Sequence, residues 1–271
     1  MNFHSDDWIM DKIKEHYAEA LEMFPESRIV GIFCQGSQNY GLDVENSDID
    51  TKLIVTPTFD DLAYVRKPVS TTHIRQNEEH IDLKDVRLYI ETFRKQNLNF
   101  VEILFTPYCI INPKYADIWQ RLIDKREAIA RYSEYRAIKT MKGIAMEKYH
   151  AIEHRYPSKI EILDKWGYDP KQLHHLYRVE SFMRRYISHE PYANCLIPSK
   201  TEATFFKLLK TEPVSLETAR AMADAELNLV NALAEYAEEN YNADTYDVAT
   251  DNLLKQVQRD IMYEALKEEF K

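Results

Sequence analysis

The sequence predicts an α+β fold, in which a small mixed β-sheet flanked by helices is followed by an all-helical region. Short apolar runs rich in β-branched residues alternate with helical patterns over roughly the first 105 residues. After Ile111 no segment favours a strand, and several capped or proline-led segments favour helices. We therefore predict two domains, residues 1–110 and 111–271.

The first predicted element is a helix over residues 5–24. Ser5 can cap it, and apolar residues recur at helical spacing between Trp8 and Phe24. Strands are predicted over residues 28–34 and 49–55. The turn-rich loop between them, QGSQNYGLDVENSD, has room for a short helix starting at Ser37.

Two further strands are predicted over residues 69–76 and 80–86, joined by the polar turn 77–79. Asp85 can cap the helix that follows. Later helices are expected to begin near Asn112-Pro113, Ser133, Asp169-Pro170 and Ser215, and a last one covers residues 251–270.

Composition limits the classes of function. The net charge of −10 argues against broad, unspecific nucleic-acid binding, although it leaves room for a local basic groove. No apolar run approaches the roughly 20 residues of a membrane-spanning helix, so no membrane association is expected. Three dispersed cysteines and the acidic, amphipathic N-terminus predict reduced thiols, a cytoplasmic location and no disulfide-linked partner.

Three of the five glycines, Gly31, Gly36 and Gly41, fall in one short stretch, which indicates unusual backbone geometry there. A strand is expected to end at Gly36-Ser37. Glycine at such a strand-to-helix turn lets a phosphate approach the backbone, and the Ser37 hydroxyl adds a donor. The turn therefore suits the phosphates of a nucleotide.

Asp48 and Asp50 are two residues apart at the start of the next predicted strand, so their side chains are expected on one face. Two such close carboxylates repel each other unless a cation lies between them. Mg²⁺ prefers oxygen ligands of this kind and keeps positions for water and substrate phosphates. Alone, either the Gly-Ser turn or the acidic pair would more often be ordinary structure.

The combination of Gly36-Ser37, Tyr40-Gly41-Leu42 and Ser47-Asp48-Ile49-Asp50 resembles the polymerase-β-type nucleotidyltransferase superfamily. The stretch is similar to the stand-alone branch associated with RNA repair, over about residues 28–110. The resemblance implies transfer of a nucleotide from a nucleoside triphosphate, using Mg²⁺ or Mn²⁺, with two ions expected. It also implies an active site in the cleft between a catalytic and a helical domain.

The family has a third carboxylate on a later strand, and Asp82 matches it better than Asp85, which is explained as a helix cap. The resemblance thus assigns Asp48, Asp50 and Asp82 as metal ligands and catalytic residues. Asp82 would also activate the acceptor hydroxyl.

Several side chains near the motif have open alternatives. Ser47 would either bind a ligand carboxylate or cap local backbone. Tyr40 would stack on a base or, as we favour, pack the loop. Lys52 would reach a phosphate or pair with a carboxylate.

In the helical region Lys142, His174 and Arg178 are the predicted contacts to the triphosphate, as basic residues are in related enzymes. The alternative is that these three residues lie on a solvated helix face and contact no ligand. If the acceptor is RNA or tRNA, as the resemblance suggests, a local basic groove is needed, and it would be supplied by Lys139, Lys142, Arg178, Arg184 and Arg185. A protein hydroxyl, a small molecule or a non-catalytic nucleotide-binding role is also compatible with the motif.

Overall fold

The computed structural model describes residues 2–270, and within that range the protein has the α+β architecture that the sequence predicts. The elements from the N-terminus to residue 130 are α1 (Asp6–Met23), β1 (Ile29–Gln35), β2 (Asp50–Val55), α2 (Phe59–Ala63), β3 (Ser70–Ile74), β4 (His80–Asp85), α3 (Val86–Arg94), α4 (Leu98–Val101), β5 (Cys109–Ile111), α5 (Pro113–Asp124) and α6 (Arg126–Ala130). The remaining elements are helices: α7 (Glu134–Ala151), α8 (Ile160–Trp166), α9 (Pro170–Ile187), α10 (Tyr192–Leu196), α11 (Lys200–Thr211), α12 (Leu216–Asn240) and α13 (Val248–Glu269).

The helix starts follow the capping residues of the sequence. Each cap accepts a hydrogen bond from a backbone N–H of the first turn, which satisfies a group that has no partner within the helix. The capping residues that were predicted and are confirmed are Ser5, Asp85, Asn112, Asp169 and Ser215. The helix expected at Ser133 begins at Glu134.

The sheet has the strand order β3-β4-β2-β1-β5. β2 runs parallel to β4, and the other neighbouring pairs are antiparallel. On one face α1 covers a cluster that includes Ile32, Leu53 and Leu83. On the other face the ring of Phe33 packs against Trp119 of α5, with centroids 4.9 Å apart. β1 is therefore apolar along nearly its whole length because both of its faces are covered.

The chain forms two compact units. One contains the chain up to Ser133 together with the segment from Tyr246 onward, and the other is Glu134–Thr245. The first unit includes α13 because that helix packs on α5 and α3. This division differs from the predicted domains 1–110 and 111–271, because α5, α6 and α13 lie with the sheet.

The second unit is helical and is built around α9, which α7, α10, α11 and α12 contact. The buried side of α9 carries Leu173, Leu176 and Met183, all fully buried. These positions are separated by three and seven residues, which is the helical repeat of an apolar face.

No helix within residues 2–270 is long and apolar enough to cross a membrane. The cysteines at positions 34, 109 and 195 are free thiols, and Cys34 and Cys195 are buried.

Candidate functional site

The turn after β1 has a backbone that only glycine adopts readily. Gly36 has φ 103° and ψ −154°, and Gly41 is left-handed with φ 69°. A methyl group added at Gly36 would meet no atom closer than 3.7 Å, so the backbone conformation rather than space requires glycine. Between the two glycines, residues Ser37–Tyr40 form a short 3-10 segment, as the sequence analysis allowed.

Side-chain hydrogen bonds hold the loop between this turn and the acidic pair in place. Gln38 is 2% exposed, and its Nε2 donates to the backbone carbonyl of Asp48 at 2.7 Å. Asn39 Nδ2 donates to the carbonyl of Cys34 at 2.9 Å. Ser47 Oγ accepts from the N–H of Val44 at 2.8 Å, which is the local-capping alternative for that residue. Tyr40 is buried at 3% exposure, in agreement with a packing role.

Asp48 and Asp50 lie at the entry to β2. Asp48 is exposed and precedes the strand, Ile49 is fully buried, and Asp50 is the first strand residue. Asp50 pairs across the ladder with Gln35, the residue before Gly36. The glycine–serine turn and the acidic pair are therefore neighbours at one end of the β1–β2 ladder, and Asp50 Oδ1 accepts from the backbone N–H of His80 at 3.0 Å.

Asp82 lies on β4, where it is the register partner of Lys52 in the parallel ladder. Asp50 and Lys52 share one face of β2 because they are two residues apart, and Lys52 Nζ donates to Asp82 Oδ2 at 2.8 Å. The alternative in which Lys52 pairs with a carboxylate is therefore the one observed, but the lysine is 2% exposed rather than at the surface. Burial lowers the pKa of Lys52 below its ordinary value, although Asp82 and Asp50 oppose that change.

Asp85 is occupied by a structural role. It is 2% exposed, caps α3 through the N–H of Arg87, and pairs with the Arg87 guanidinium at 2.7 and 2.9 Å. Its position three residues after Asp82 on an alternating strand sends it to the other face. Of the two candidates for a third carboxylate, Asp82 is the one on the face of Asp50.

The three carboxylates predicted as metal ligands do not form one cluster. Within residues 2–270 no three His, Cys, Asp or Glu side chains stand in an arrangement that could hold a metal ion. Asp82 is engaged by Lys52, while Asp48 and Asp50 lie together at the exposed end of β2. Two carboxylates are the kind of oxygen ligands that one hard divalent ion takes, with water and phosphate oxygens in its other positions.

A buried polar network behind the acidic pair has no counterpart among the sequence predictions. His16 of α1 is fully buried, with Nδ1 2.9 Å from Thr51 Oγ1 and Nε2 3.0 Å from Glu79 Oε2. Glu79 also accepts from the backbone N–H of Ile49 at 3.4 Å and from Arg75. The network thus holds the residue between the two aspartates. The sequence does contain one indication of this network: His16 lies on the apolar face of α1, four residues before Ala20 and three after Ile13.

Burial would raise the pKa of Glu79, but the hydrogen bonds from His16 and Asn77 and the charge of His16 outweigh that effect and lower the pKa to about 2. Glu79 is therefore a carboxylate at neutral pH. Its immediate neighbour, His80, donates its N–H to Asp50, so residues 79 and 80 together bind the backbone of Ile49 and the side chain of Asp50.

The helical residues predicted to contact a triphosphate all lie in the second unit, Lys142 on α7 and His174 and Arg178 on α9. His174 is 1% exposed, and its Nδ1 lies 2.8 Å from the carbonyl oxygen of Phe206. Burial holds the pKa of His174 well below its ordinary value, so the ring is neutral. We correct the prediction for His174, because a core histidine has no surface to offer a phosphate. Lys142 and Arg178 are partly exposed.

The arginines of the predicted basic groove are engaged with carboxylates. Arg184 pairs with Glu180 and Glu202, and Arg185 pairs with Glu202. Lys139 is exposed. Since ion pairs reduce the positive potential of a surface, these arginines offer less attraction to RNA than the sequence indicates.

Comparisons with known proteins add little to what the residues of this chain indicate about its function. No model of a protein family matches the sequence, and no curated protein matches it. Among solved structures, one match is a nucleotidyltransferase-like protein from Exiguobacterium sibiricum, 13% identical, with 84% of this chain and 75% of that chain covered and a TM-score of 0.31. A TM-score this low carries no argument for a common activity.

Proposed function

We propose that the protein is a metal-dependent nucleotidyltransferase. It would move a nucleoside monophosphate from a nucleoside triphosphate to an acceptor hydroxyl. The acceptor hydroxyl oxygen bonds to the α-phosphorus and its proton passes to solvent, while the bond from that phosphorus to the bridging oxygen breaks and pyrophosphate leaves. The observation that carries the proposal is the adjacency of the Gly36-Ser37 turn to Asp50 across the β1–β2 ladder.

The chain's own residues support this chemistry by position. The glycine turn leaves the backbone open to a phosphate group, and the Ser37 hydroxyl is available as a donor beside it. Asp48 and Asp50 would hold a divalent ion, Mg²⁺ or Mn²⁺, which when bound neutralises phosphate charge and orients the triphosphate. Gln38 keeps the turn and the acidic pair at a fixed separation through its bond to Asp48. Most of the rate enhancement would come from such positioning and charge neutralisation.

RNA or tRNA is the acceptor class that the sequence resemblance favours. A protein hydroxyl or a small molecule is compatible with the same site. The net charge of −10 restricts any RNA contact to a limited surface.

A non-catalytic nucleotide-binding module is the second candidate, and one observation favours it. The ion pair between Lys52 and Asp82 occupies the carboxylate that the resemblance assigns to catalysis. A module of this kind would bind nucleotide at the Gly36-Ser37 turn and transfer nothing.

A transfer assay separates the two candidates. The purified protein, with Mg²⁺ or Mn²⁺ and each α-³²P-labelled nucleoside triphosphate, is mixed with total RNA, tRNA or protein extract. The variants are Asp48→Asn and Asp50→Asn, and the matched control is Glu45→Gln, which removes an exposed carboxylate from the same loop. We expect label in one macromolecular fraction with the wild type and with Glu45→Gln, and none with either aspartate variant.

Other results of this assay are equally informative. Nucleotide binding measured by calorimetry, without label transfer to any of these acceptors, would favour the binding module or a small-molecule acceptor. Transfer that survives both aspartate substitutions would refute the proposed site. The fraction that carries the label identifies the acceptor class, and the labelled triphosphate identifies the nucleotide.

A further inference from the structure

Lys52 is placed where a cation is needed. Asp50 and Asp82 lie on the same face of neighbouring parallel strands, diagonal to each other because Asp82 is the register partner of Lys52. Carboxylates that share a face repel each other, and a positive charge nearby reduces that repulsion. The Lys52 ammonium lies 2.8 Å from Asp82 Oδ2, and Lys52 is on the same face of β2 as Asp50, two residues along the strand. The Lys52 side chain thus supplies the positive charge that a metal ion would otherwise provide.

The surroundings of Lys52 hold it in this place. Its side chain is 3% exposed, and its Nζ lies 4.0 Å from the centroid of the Phe100 ring. Lys84 lies over the same ring, with Nζ 5.0 Å from the centroid and a 2.8 Å bond to Ser70 Oγ. A divalent ion bound to Asp82 would face two ammonium groups and would leave the buried Lys52 without its partner, which is strongly unfavourable.

The charges of the site agree with one ion. Asp48, Asp50 and Asp82 carry three negative charges and the ammonium groups of Lys52 and Lys84 carry two positive ones, which leaves too little negative charge for two divalent ions. The exposed end of β2, where Asp48 and Asp50 lie, is the part of this group that solvent and a nucleotide can reach.

We infer that Lys52 takes the place of a second metal ion at Asp82, so that the site binds a single divalent ion at Asp48 and Asp50. The inference rests on the proposed function and replaces the expectation of two ions. Lys52 is then a positioning residue that fixes Asp82. Asp82 is held as an ion-pair partner rather than as a metal ligand.

Counting bound ions tests this inference without an activity measurement. Full-length protein is saturated with a non-hydrolysable α,β-methylene triphosphate and dialysed against Mn²⁺. Bound Mn²⁺ is then measured by electron paramagnetic resonance after release in acid. We expect one Mn²⁺ per chain in the wild type, in Lys52→Arg and in the control Lys67→Met, which removes an exposed lysine. Asp82→Asn should keep one ion with little change in affinity, whereas Asp50→Asn should weaken Mn²⁺ binding by about tenfold or more.

Lys52→Met frees Asp82 and should allow a second ion. If this variant fails to fold, as a thermal melt would show, the number of Mn²⁺ ions bound by Asp82→Asn still tests the inference. Two ions in the wild type, one of them lost in Asp82→Asn, would overturn the inference and leave the proposed function standing. No bound ion, together with no aspartate-dependent label transfer in the assay above, would overturn both.

Discussion

Gln38 donates a hydrogen bond of 2.7 Å from its side-chain amide to the backbone carbonyl of Asp48. Gln38 belongs to the short 3-10 segment that follows Gly36, and Asp48 lies ten residues further along the chain. This single buried bond ties the glycine–serine turn to the first residue of the acidic pair. The two halves of the candidate site are thus connected by this bond as well as by the ladder pairing of Gln35 with Asp50.

Gln38→Ala should loosen that connection. Removing the amide leaves the Asp48 carbonyl without this donor, and we expect the free energy of unfolding to fall by about 1–3 kcal/mol. Nucleotide transfer should fall further than stability alone explains, because Asp48 would lose a bond that fixes its position relative to the turn. Urea denaturation and initial rates under saturating nucleotide measure the two effects. Gln120→Ala, at an exposed position on α5, is the control and should change neither.

Gly36→Ala tests the requirement for a positive φ. The backbone at φ 103° and ψ −154° is open to glycine alone, so alanine should cost about 1–3 kcal/mol of stability and displace the turn. Gly143→Ala is the matched control, since Gly143 lies in α7 with no atom within 4 Å of an added methyl group. That change should stabilise the protein by up to about 1 kcal/mol. Equal effects of the two substitutions would refute the backbone argument.

The helix caps were predictable because each depends on residues close in sequence. Asp85 bonds to the N–H two residues later, and Asp169 does the same ahead of α9. The start of α11 has a similar local pattern, since Ser199 and Glu202 have the spacing of a capping box and form one.

The missed features depend on distant parts of the chain. β5 has three residues and exists as a strand through pairing with β1. The pairing of Lys52 with Asp82 follows from the register of two parallel strands whose partners are 30 residues apart. Sequence pattern gives the face of a strand, but it does not give the register between non-consecutive strands. The acidic pair and the glycine turn were therefore predictable, and the partner of Asp82 was not.

Asp85→Ala should separate the structural carboxylate from those of the site. The change removes the cap of α3 and the partner of Arg87, so we expect a loss of about 1–2 kcal/mol from the cap alone. The transfer rate per folded molecule should be unchanged because Asp85 faces away from Asp50. Thermal denaturation and active-site-normalised rates test this, with Asp60→Ala at an exposed position of α2 as control. A loss of rate without a loss of stability would restore Asp85 as a candidate site residue.

Glu79 should make stability depend on pH in the acid range. Its pKa is lowered from 4.5 to about 2 in the folded protein, so its contribution is present above the unfolded value and is lost as pH falls from about 5 towards 2. That contribution is of the order of 2 kcal/mol. Glu79→Gln should reduce the slope of unfolding free energy against pH over this window. Urea titrations between pH 3 and 7 measure the slope, and Glu78→Gln, at the neighbouring exposed position, should leave it as in the wild type.

His174→Ala should destabilise the second unit without acting on nucleotide binding directly. The ring fills a buried site on α9 and bonds to the carbonyl of Phe206, so its removal leaves a cavity and an acceptor that has lost this partner. We expect a loss of about 2–4 kcal/mol in unfolding free energy. The exposed His150→Ala on α7 should cost less than about 0.5 kcal/mol. For protein that is still folded, nucleotide affinity should match the wild type in both variants, whereas a selective rise in the dissociation constant for His174→Ala would return this histidine to the triphosphate contacts.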